Sequence, residues 1–499
     1  MKKLAEIHGA KTARKERIMQ FGEGNFLRAF VDWMVHKMNA AGVYDGSVVL
    51  VQPIARGLTD LINENNGLYT VILRGVENGK VVEDATIVES VSRCVDPYRD
   101  FKDFMAIGEN PDLRFIVSNT TEAGIAYAAG DKPTDAPPAS YPAKLAVFLH
   151  HRWLTFKGAA DKGLVMVPCE LIDRNGDKLK ETVYRWAEEW KYESAFIDWL
   201  KSSCDFLNSL VDRIVTGYPK EEAEAIWNKL GYRDDLLDTA EPFLVWVIEG
   251  NKKYGDELPF RKAGFDVIWT DDMTPYRTRK VRILNGAHTS SVLGAYLAGV
   301  DTVREMVEDP VFAAYVRNIL NEEIMPILTL PKKDVQQFAA AVLERFANPF
   351  IKHRLLDISL NSVSKFKARV LPSLQEAAAA KGKATSLLAF SLSALVAFYR
   401  GTKIVDGALQ GDRNGVSYPI RDDLPVLETF AKLWTTYDNT DAGAKKLMDA
   451  VLANEAWWGD DLRKIPGLSD TCGAALVDIL KNGAKAAVAR AAGADAAET

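Results

Sequence analysis

Ile18-Met19-Gln20-Phe21-Gly22-Glu23-Gly24-Asn25-Phe26-Leu27-Arg28 is a short apolar strand that runs into two glycines and then into a helical pattern reaching Met38. Strand, Gly-x-Gly turn and helix in that order open a βαβ unit. At such a turn glycine lets the backbone approach a pyrophosphate, and the helix start offers unbonded N–H groups and a positive dipole end. The next strand, residues 47–52 (SVVLVQ), is apolar without alternation, which marks burial on both faces. Residues 68–74 and 80–90 flank Glu77-Asn78-Gly79, and Asn-Gly between two such runs predicts a hairpin. Further strands are predicted at 113–118, 163–168 and 265–269, with helical stretches such as 177–190 between them. Strands alternating with helices predict an α/β, Rossmann-like, doubly wound and mostly parallel sheet.

After about Thr274 the strands are expected to stop. From Lys280 onward apolar residues recur three and four apart, with breaks at Pro310, Pro326, Pro331, Pro349 and Pro372. The expected organisation is a dinucleotide-binding domain over 1–274 and a mainly helical substrate and catalytic domain over 275–499. The most hydrophobic stretch, 386–399, is shorter than the roughly 20 apolar residues a bilayer requires, and reads as a buried core helix carrying three serines. The Ala-rich end, 484–499, is assigned no function, and no internal repeat is found.

Composition excludes several classes. The chain has 499 residues, with 62 Lys+Arg against 68 Asp+Glu, a net charge of −6. An acidic chain lacks the basic face that supplies most nucleic-acid affinity, so no nucleic-acid partner is expected. Cys94, Cys169, Cys204 and Cys472 lie far apart with no C-x-x-C pair, which argues against a disulfide framework, structural zinc and iron–sulfur chemistry. Six histidines are equally scattered. The basic first twenty residues lack the apolar core of a secretory signal, so a cytoplasmic location with no membrane partner is expected.

The nucleotide signal has two departures. The third glycine of G-x-G-x-x-G falls on Leu27, and no acidic residue ends the second strand, which closes with Gln52-Pro53. Arg56 nearby would even suit a 2′-phosphate, so NADP stays open beside NAD. A tight strand–helix turn with no ligand is the competing explanation for Gly22-x-Gly24.

Lys280-Val-Arg-Ile-Leu-Asn285-Gly-Ala-His288 carries the chemistry. At about 100° per residue, Asn285 lies ~140° and His288 ~80° around a helix from Lys280, so all three can share a side. Small and apolar residues follow to Gly299, as in a helix packed on all sides. Burial disfavours a charged lysine and moves it toward proton transfer, while an amide can donate to a developing alkoxide. The alternative is a solvated Lys280 with Asn285 and His288 as ordinary core hydrogen-bonders.

Lys280-x4-Asn285-Gly-x-His288 resembles the signature of the polyol-specific long-chain dehydrogenase/reductase family, which includes mannitol 2-dehydrogenase and the hexuronate reductases. Gly67-Leu-Tyr-Thr70, Asn119-Thr-Thr-Glu122, Asn175-Gly176, Leu210-Val-Asp-Arg-Ile214 and Glu241-Pro-Phe243 extend the likeness over roughly 17–480. Gln20 to Phe30, Pro168-Cys-Glu-Leu-Ile-Asp173 and Asn348-Pro-Phe-Ile-Lys-His353 are most similar to the hexuronate-reducing branch. The resemblance implies metal-independent hydride transfer between NAD(H) and a sugar acid, with D-tagaturonate reduced to D-altronate. Fructuronate is the nearest rival substrate, polyols a further one, and a nicotinamide-dependent uronate epimerase the alternative from another class. Lys280 is implied as general acid and base, Asn285 as oxyanion donor and His288 as the group orienting the reacting oxygen. Gly22, Gly24, Asn25, Phe26, Arg28, Gln52, Asn119, Thr121 and Glu122 are implied at the cofactor, and Asp212, Lys365, His353, Arg369 and Asn175 at the substrate.

Two departures from the family matter. An arginine eight residues before Lys365 is here Asp357, and an amide-bearing segment reads Cys169-Glu170-Leu171, with Asn175 or Glu170 left to compensate. Asp212 has a structural pair with Arg213 as its competing explanation. A solvated cationic face is the alternative for Lys352, Arg354 and Lys367, and Trp33 and Trp246 read as core. The assembly is expected to be a monomer or small homo-oligomer.

Overall fold

A computed structural model describes residues 1–121 and 123–493. Contacts divide it into two compact units, one of Met1–Gly75 with Lys80–Met273, the other of Val76–Gly79 with Thr274–Thr499.

The first unit is built on six parallel strands: β1 (Glu16–Phe21), β2 (Ser47–Val51), β5 (Val91–Val95), β6 (Phe115–Ser118), β7 (Val165–Pro168) and β8 (Asp205–Phe206). Their order, β5-β2-β1-β6-β7-β8, reverses direction between β1 and β6, the doubly wound pattern whose ligand crevice lies at the strands' carboxyl ends. Alternate side chains feed two cores. Ile18, Val48, Leu50, Phe115 and Val117 enter one, and Met19, Phe21, Val49, Val51 and Ile116 the other. Each such fully buried side chain contributes about 1.5–3 kcal/mol, which is why these strands show no polar alternation. Trp246 is buried in the first core and Trp33 lies at its edge.

The predicted hairpin forms between β3 (Tyr69–Glu77) and β4 (Lys80–Val88), with Asn78 and Gly79 both at positive φ, as a type I′ turn requires. Beyond the predicted strands, β9 (Asn208–Asp212), β10 (Val215–Gly217), β11 (Asp238–Ala240) and β12 (Val245–Glu249) join β13 (Val267–Thr270) and β3 in two smaller sheets. Three of these strands, β9, β10 and β11, are too short or too polar for their periodicity to stand out, while the apolar run of β12 is one the sequence reading missed.

The second unit is mainly helical. Pro310 and Pro372 sit in the first turns of Pro310–Asn318 and Leu371–Lys381, where a missing N–H costs nothing, and Pro331 precedes Lys332–Phe346. Ser386–Phe398 is the expected core helix. Ser393 satisfies its hydroxyl on the Ala389 and Cys472 carbonyls, and buried Glu323 caps the helix by accepting from Leu387 and Leu388 N–H at 2.9 and 2.8 Å. The expectation that strands end at Thr274 is corrected: β14 (Ile404–Val405), β15 (Ala408–Arg413) and β16 (Val416–Ile420) form an antiparallel sheet. Its turn is Asn414-Gly415, at φ 55° and 82°, the same signal as at Asn78-Gly79 but flanked by fewer apolar residues. Among the described residues no helix is long and apolar enough to cross a membrane.

Candidate active site

The turn after β1 is shaped for a close approach. Gly22 has φ 116°, its N–H donates to the Val51 carbonyl at 3.0 Å, and a Cβ there would lie 3.2 Å from the Asn119 carbonyl oxygen. Gly24, extended at φ −69° and ψ 170°, precedes a helical run from Asn25 to Ala40, and both Gly24 and Asn25 are exposed. The first N–H groups of such a run have no partner within the helix and suit a pyrophosphate. Phe26 is half-buried and stacks on Phe30 with ring centroids 5.0 Å apart. Asn119 spends its amide on the Cys169 carbonyl at 2.8 Å, Thr121 is exposed at the end of β6, and Glu122 lies outside the described residues.

Three residues expected to meet ligand are turned inward. Arg28 is 2% exposed. It donates to the Glu23 and Leu236 carbonyls and to Asn25 Oδ1, and sits 3.9 Å from the Asp238 carboxylate. Its helix turn, Arg28–Asp32, is π rather than α, and Asp32 accepts from Gln20 and Tyr69 beneath it. Gln52 donates to the Ile54 carbonyl and accepts from Thr59 N–H and Oγ1, so its amide ties the loop after β2. Asn175 is fully buried: its amide group bonds the Pro168, Glu170 and Ser209 carbonyls, and its oxygen accepts from Gly176 and Ser209 N–H. That exhausts its two donors and two lone pairs. Glu170, also buried, holds Ser118 and Thr120 at the end of β6, and burial pushes its pKa up.

Buried carboxylates give this region a surplus of acceptors. Asp32 Oδ1, Gln20 Oε1 and both Asp238 oxygens are buried without a hydrogen bond. Desolvation raises Asp32 and Asp238 to about 7. Asp212 ends β9 opposite Val245, and Arg213 turns instead to the Glu241 and Ala29 carbonyls, 4.6 Å over the Trp33 ring.

In the second unit, Lys280 ends the helix Thr274–Lys280, a π turn spans Val281–Asn285, and an α-helix resumes over Gly286–Leu297. A plain α-helix was expected there. The i→i+5 turn instead draws residues five apart, Lys280 and Asn285, closer to one face than the α-helical ~140°. At Gly286 a Cβ would lie a tight 3.3 Å from the Arg369 carbonyl oxygen, so glycine lets the two segments pack closely. Arg282 anchors the turn on Ser373 and Glu376, 2.9 and 2.8 Å away.

His288 stacks on Phe346, with centroids 4.1 Å apart and planes 13° apart, and meets the His353 ring edge-on at 5.4 Å. Its Nε2 is buried without a hydrogen-bond partner. Burial, then the charges of His353, Arg345 and Arg369, hold its pKa well below the usual histidine value. Lys365 Nζ donates to the Ile358 carbonyl at 2.9 Å and is lowered by burial and by Arg369. Arg369 is lowered by burial too, as is His353, which Asp357 pulls back up. The structure thus brings His288, His353, Lys365 and Arg369 together and adds Arg345, which the sequence reading missed. Only its place beside Phe346, the stacking partner of His288, could have signalled it. Lys352, Arg354 and Lys367 are exposed, as a solvated face would be. Among the described residues no cluster of His, Cys, Asp and Glu could hold a metal.

Residues 16–262 match the mannitol dehydrogenase Rossmann domain, and residues 272–480 the mannitol dehydrogenase C-terminal domain. Altronate oxidoreductases of Shigella flexneri and of Escherichia coli O1:K1 are each 46% identical over 474 residues, 95% of this chain and 96% of theirs. A D-sorbitol dehydrogenase structure shares the fold at a TM-score of 0.77 and 21% identity, covering 95% of both chains. Pseudomonas fluorescens mannitol 2-dehydrogenase, solved with NAD and D-mannitol, does so at 0.63 and 22%, covering 96% of this chain and 94% of that one.

Proposed function

The chain belongs to the mannitol dehydrogenase family, and from that premise we propose that it is an oxidoreductase reducing D-tagaturonate to D-altronate with NADH, and reversing that reaction. The nicotinamide, when bound, supplies and accepts the hydride. Gly22, Gly24, Asn25 and Phe26 receive the dinucleotide at the turn after β1, with Asn119 and Thr121 at the end of β6. Lys280 gives a proton to the ketone oxygen in reduction and takes it from the C–OH in oxidation. The Asn285 amide donates to that oxygen as its charge develops. His288, kept neutral by burial and its cationic neighbours, orients it through Nε2.

The substrate carboxylate is assigned to Lys365, with His353 and Arg369 beside it, and Asp212 to a substrate hydroxyl. One observation supports the reading: His288 of the Lys280-x4-Asn285-Gly-x-His288 set lies against His353, Arg345 and Arg369, in a chain 46% identical to altronate oxidoreductases. A polyol needs no such cluster.

The test measures NADH oxidation with tagaturonate, fructuronate and fructose side by side, then repeats it with NADPH. Tagaturonate should give the highest kcat/KM. Best turnover of fructose would sink the carboxylate assignment, and best turnover of fructuronate the stereochemical one. Steady NADH consumption separates this reading from an epimerase, which recycles its cofactor.

A further inference from the structure

The second strand ends in Gln52, whose amide is committed to its own loop, so the acidic residue that ordinarily meets the cofactor's adenosine ribose is absent from the end of β2. An acid nevertheless reaches that place. Glu23, the middle residue of Gly22-Glu23-Gly24, is 7% exposed, and its Oε1 accepts from the Leu58 N–H at 3.3 Å. A Cβ built on Gly57 would collide with Glu23 Oε1 and come within 2.5 Å of Gln52 Oε1. The carboxylate therefore lies across the loop that follows β2, and glycine at 57 is what makes room for it.

We propose that Glu23 is the ribose-recognising, NAD-selecting residue of this protein, delivered from the β1 turn rather than from the end of β2. This rests on the nicotinamide-dependent reading above. An ionised carboxylate at this point can accept from ribose hydroxyls and repels a 2′-phosphate. Burial, and with it Asp96 at the end of β5, pushes the Glu23 pKa up, while the Leu58 N–H and Arg28 pull it down. The group is thus a carboxyl poised to accept from or donate to a ribose hydroxyl, and its ionised form opposes a phosphate. Arg56, the cation that would favour a phosphate, is exposed on the same loop. The buried acid outweighs it because water screens the arginine and not the carboxylate.

The experiment titrates the full-length protein with NADH and with NADPH, without substrate, following energy transfer from protein tryptophan to the nicotinamide. The wild type should bind NADH more tightly by about 10- to 100-fold. Glu23→Gln keeps the shape and the acceptor for Leu58, and should shrink that ratio about tenfold, chiefly by tightening NADPH. Arg56→Ala should move it less than about twofold. A wild type that binds the two nucleotides equally overturns the proposal whether or not the variant folds. So does a folded Glu23→Gln protein with an unchanged ratio, and in that case the nicotinamide reading survives. A wild type that binds neither nucleotide overturns both.

Discussion

Among the described residues three helical runs widen into π turns, and two of them, Arg28–Asp32 and Val281–Asn285, have surroundings of opposite electrical character. The first has acceptors in excess: Asp32, Asp238 and Gln20 leave buried oxygens without donors, and the two buried guanidiniums near them, Arg28 and Arg213, are tied to carbonyls. The second is lined by basic groups: His353, Arg345 and Arg369 act on a buried histidine, Asp357 acts on His353, and Asp422 acts on Lys365. A proton-holding network suits a frame that no anion should enter. A basic, proton-refusing cluster suits the carboxylate proposed for it above. The contrast sets a buried acidic frame against a partly buried basic cluster proposed to meet the substrate.

The largest expected effect tests the second turn. Lys280→Met should lower kcat for tagaturonate by about 10³–10⁴, the scale of a lost general acid, while NADH binding stays within about twofold. Stopped-flow turnover with a parallel binding titration measures both. A loss confined to KM would return Lys280 to a binding role.

Next comes the first turn. Arg28→Met removes the buried cation facing Asp238 and should cost about 3–5 kcal/mol of stability, read by denaturant unfolding. Arg369→Gln, in a half-exposed position of the cationic cluster, should cost under about 1 kcal/mol. Equal losses would erase the distinction between frame and ligand site.

Much of this contrast could be read in the residues. Gly22-x-Gly24 behind an apolar strand, and Asn285-Gly-x-His288 behind Lys280, lie where strand and helix periodicity put them. The π turns left no trace, because a hydrogen bond shifted from i+4 to i+5 changes no composition and barely disturbs apolar spacing. The inward hydrogen bonds of Arg28, Gln52 and Asn175 could not be read from the residues, since burial of a polar side chain depends on partners far away, such as Leu236 and Ser209. Glu23 escaped a search for an acid some 20 residues downstream because it sits inside the glycine motif. Arg345 stands on an otherwise ordinary amphipathic helix.

A smaller effect reports on the cationic cluster. Arg369→Gln and Lys365→Gln should each raise KM for tagaturonate about 10- to 30-fold, the worth of a charge-assisted hydrogen bond, with kcat changed much less. Fructose, which carries no carboxylate, should show no matching change after Arg369→Gln. A parallel loss for both sugars would mean that the cluster supports the helix and does not read the acid.

The smallest effect is also the one in which the two turns must differ in sign. Asp32 keeps its proton in the folded state up to about pH 7, against 3.8 for an unperturbed carboxyl, so between those values the native chain holds a proton the unfolded chain has lost. Its contribution therefore makes stability fall as pH rises across that window. His288 has its folded pKa pushed well below 6.5, so below about pH 6.5 the unfolded chain takes up a proton the native chain refuses, and stability falls as pH drops. Asp32→Asn should flatten the loss toward neutral pH and His288→Gln the loss toward acid, each by about 1.4 kcal/mol per pH unit at most. Urea midpoints for the three proteins from pH 4.5 to 7.5 measure it. If both variants flatten the same limb, the opposition of charge between the two π turns is not a property of the folded chain.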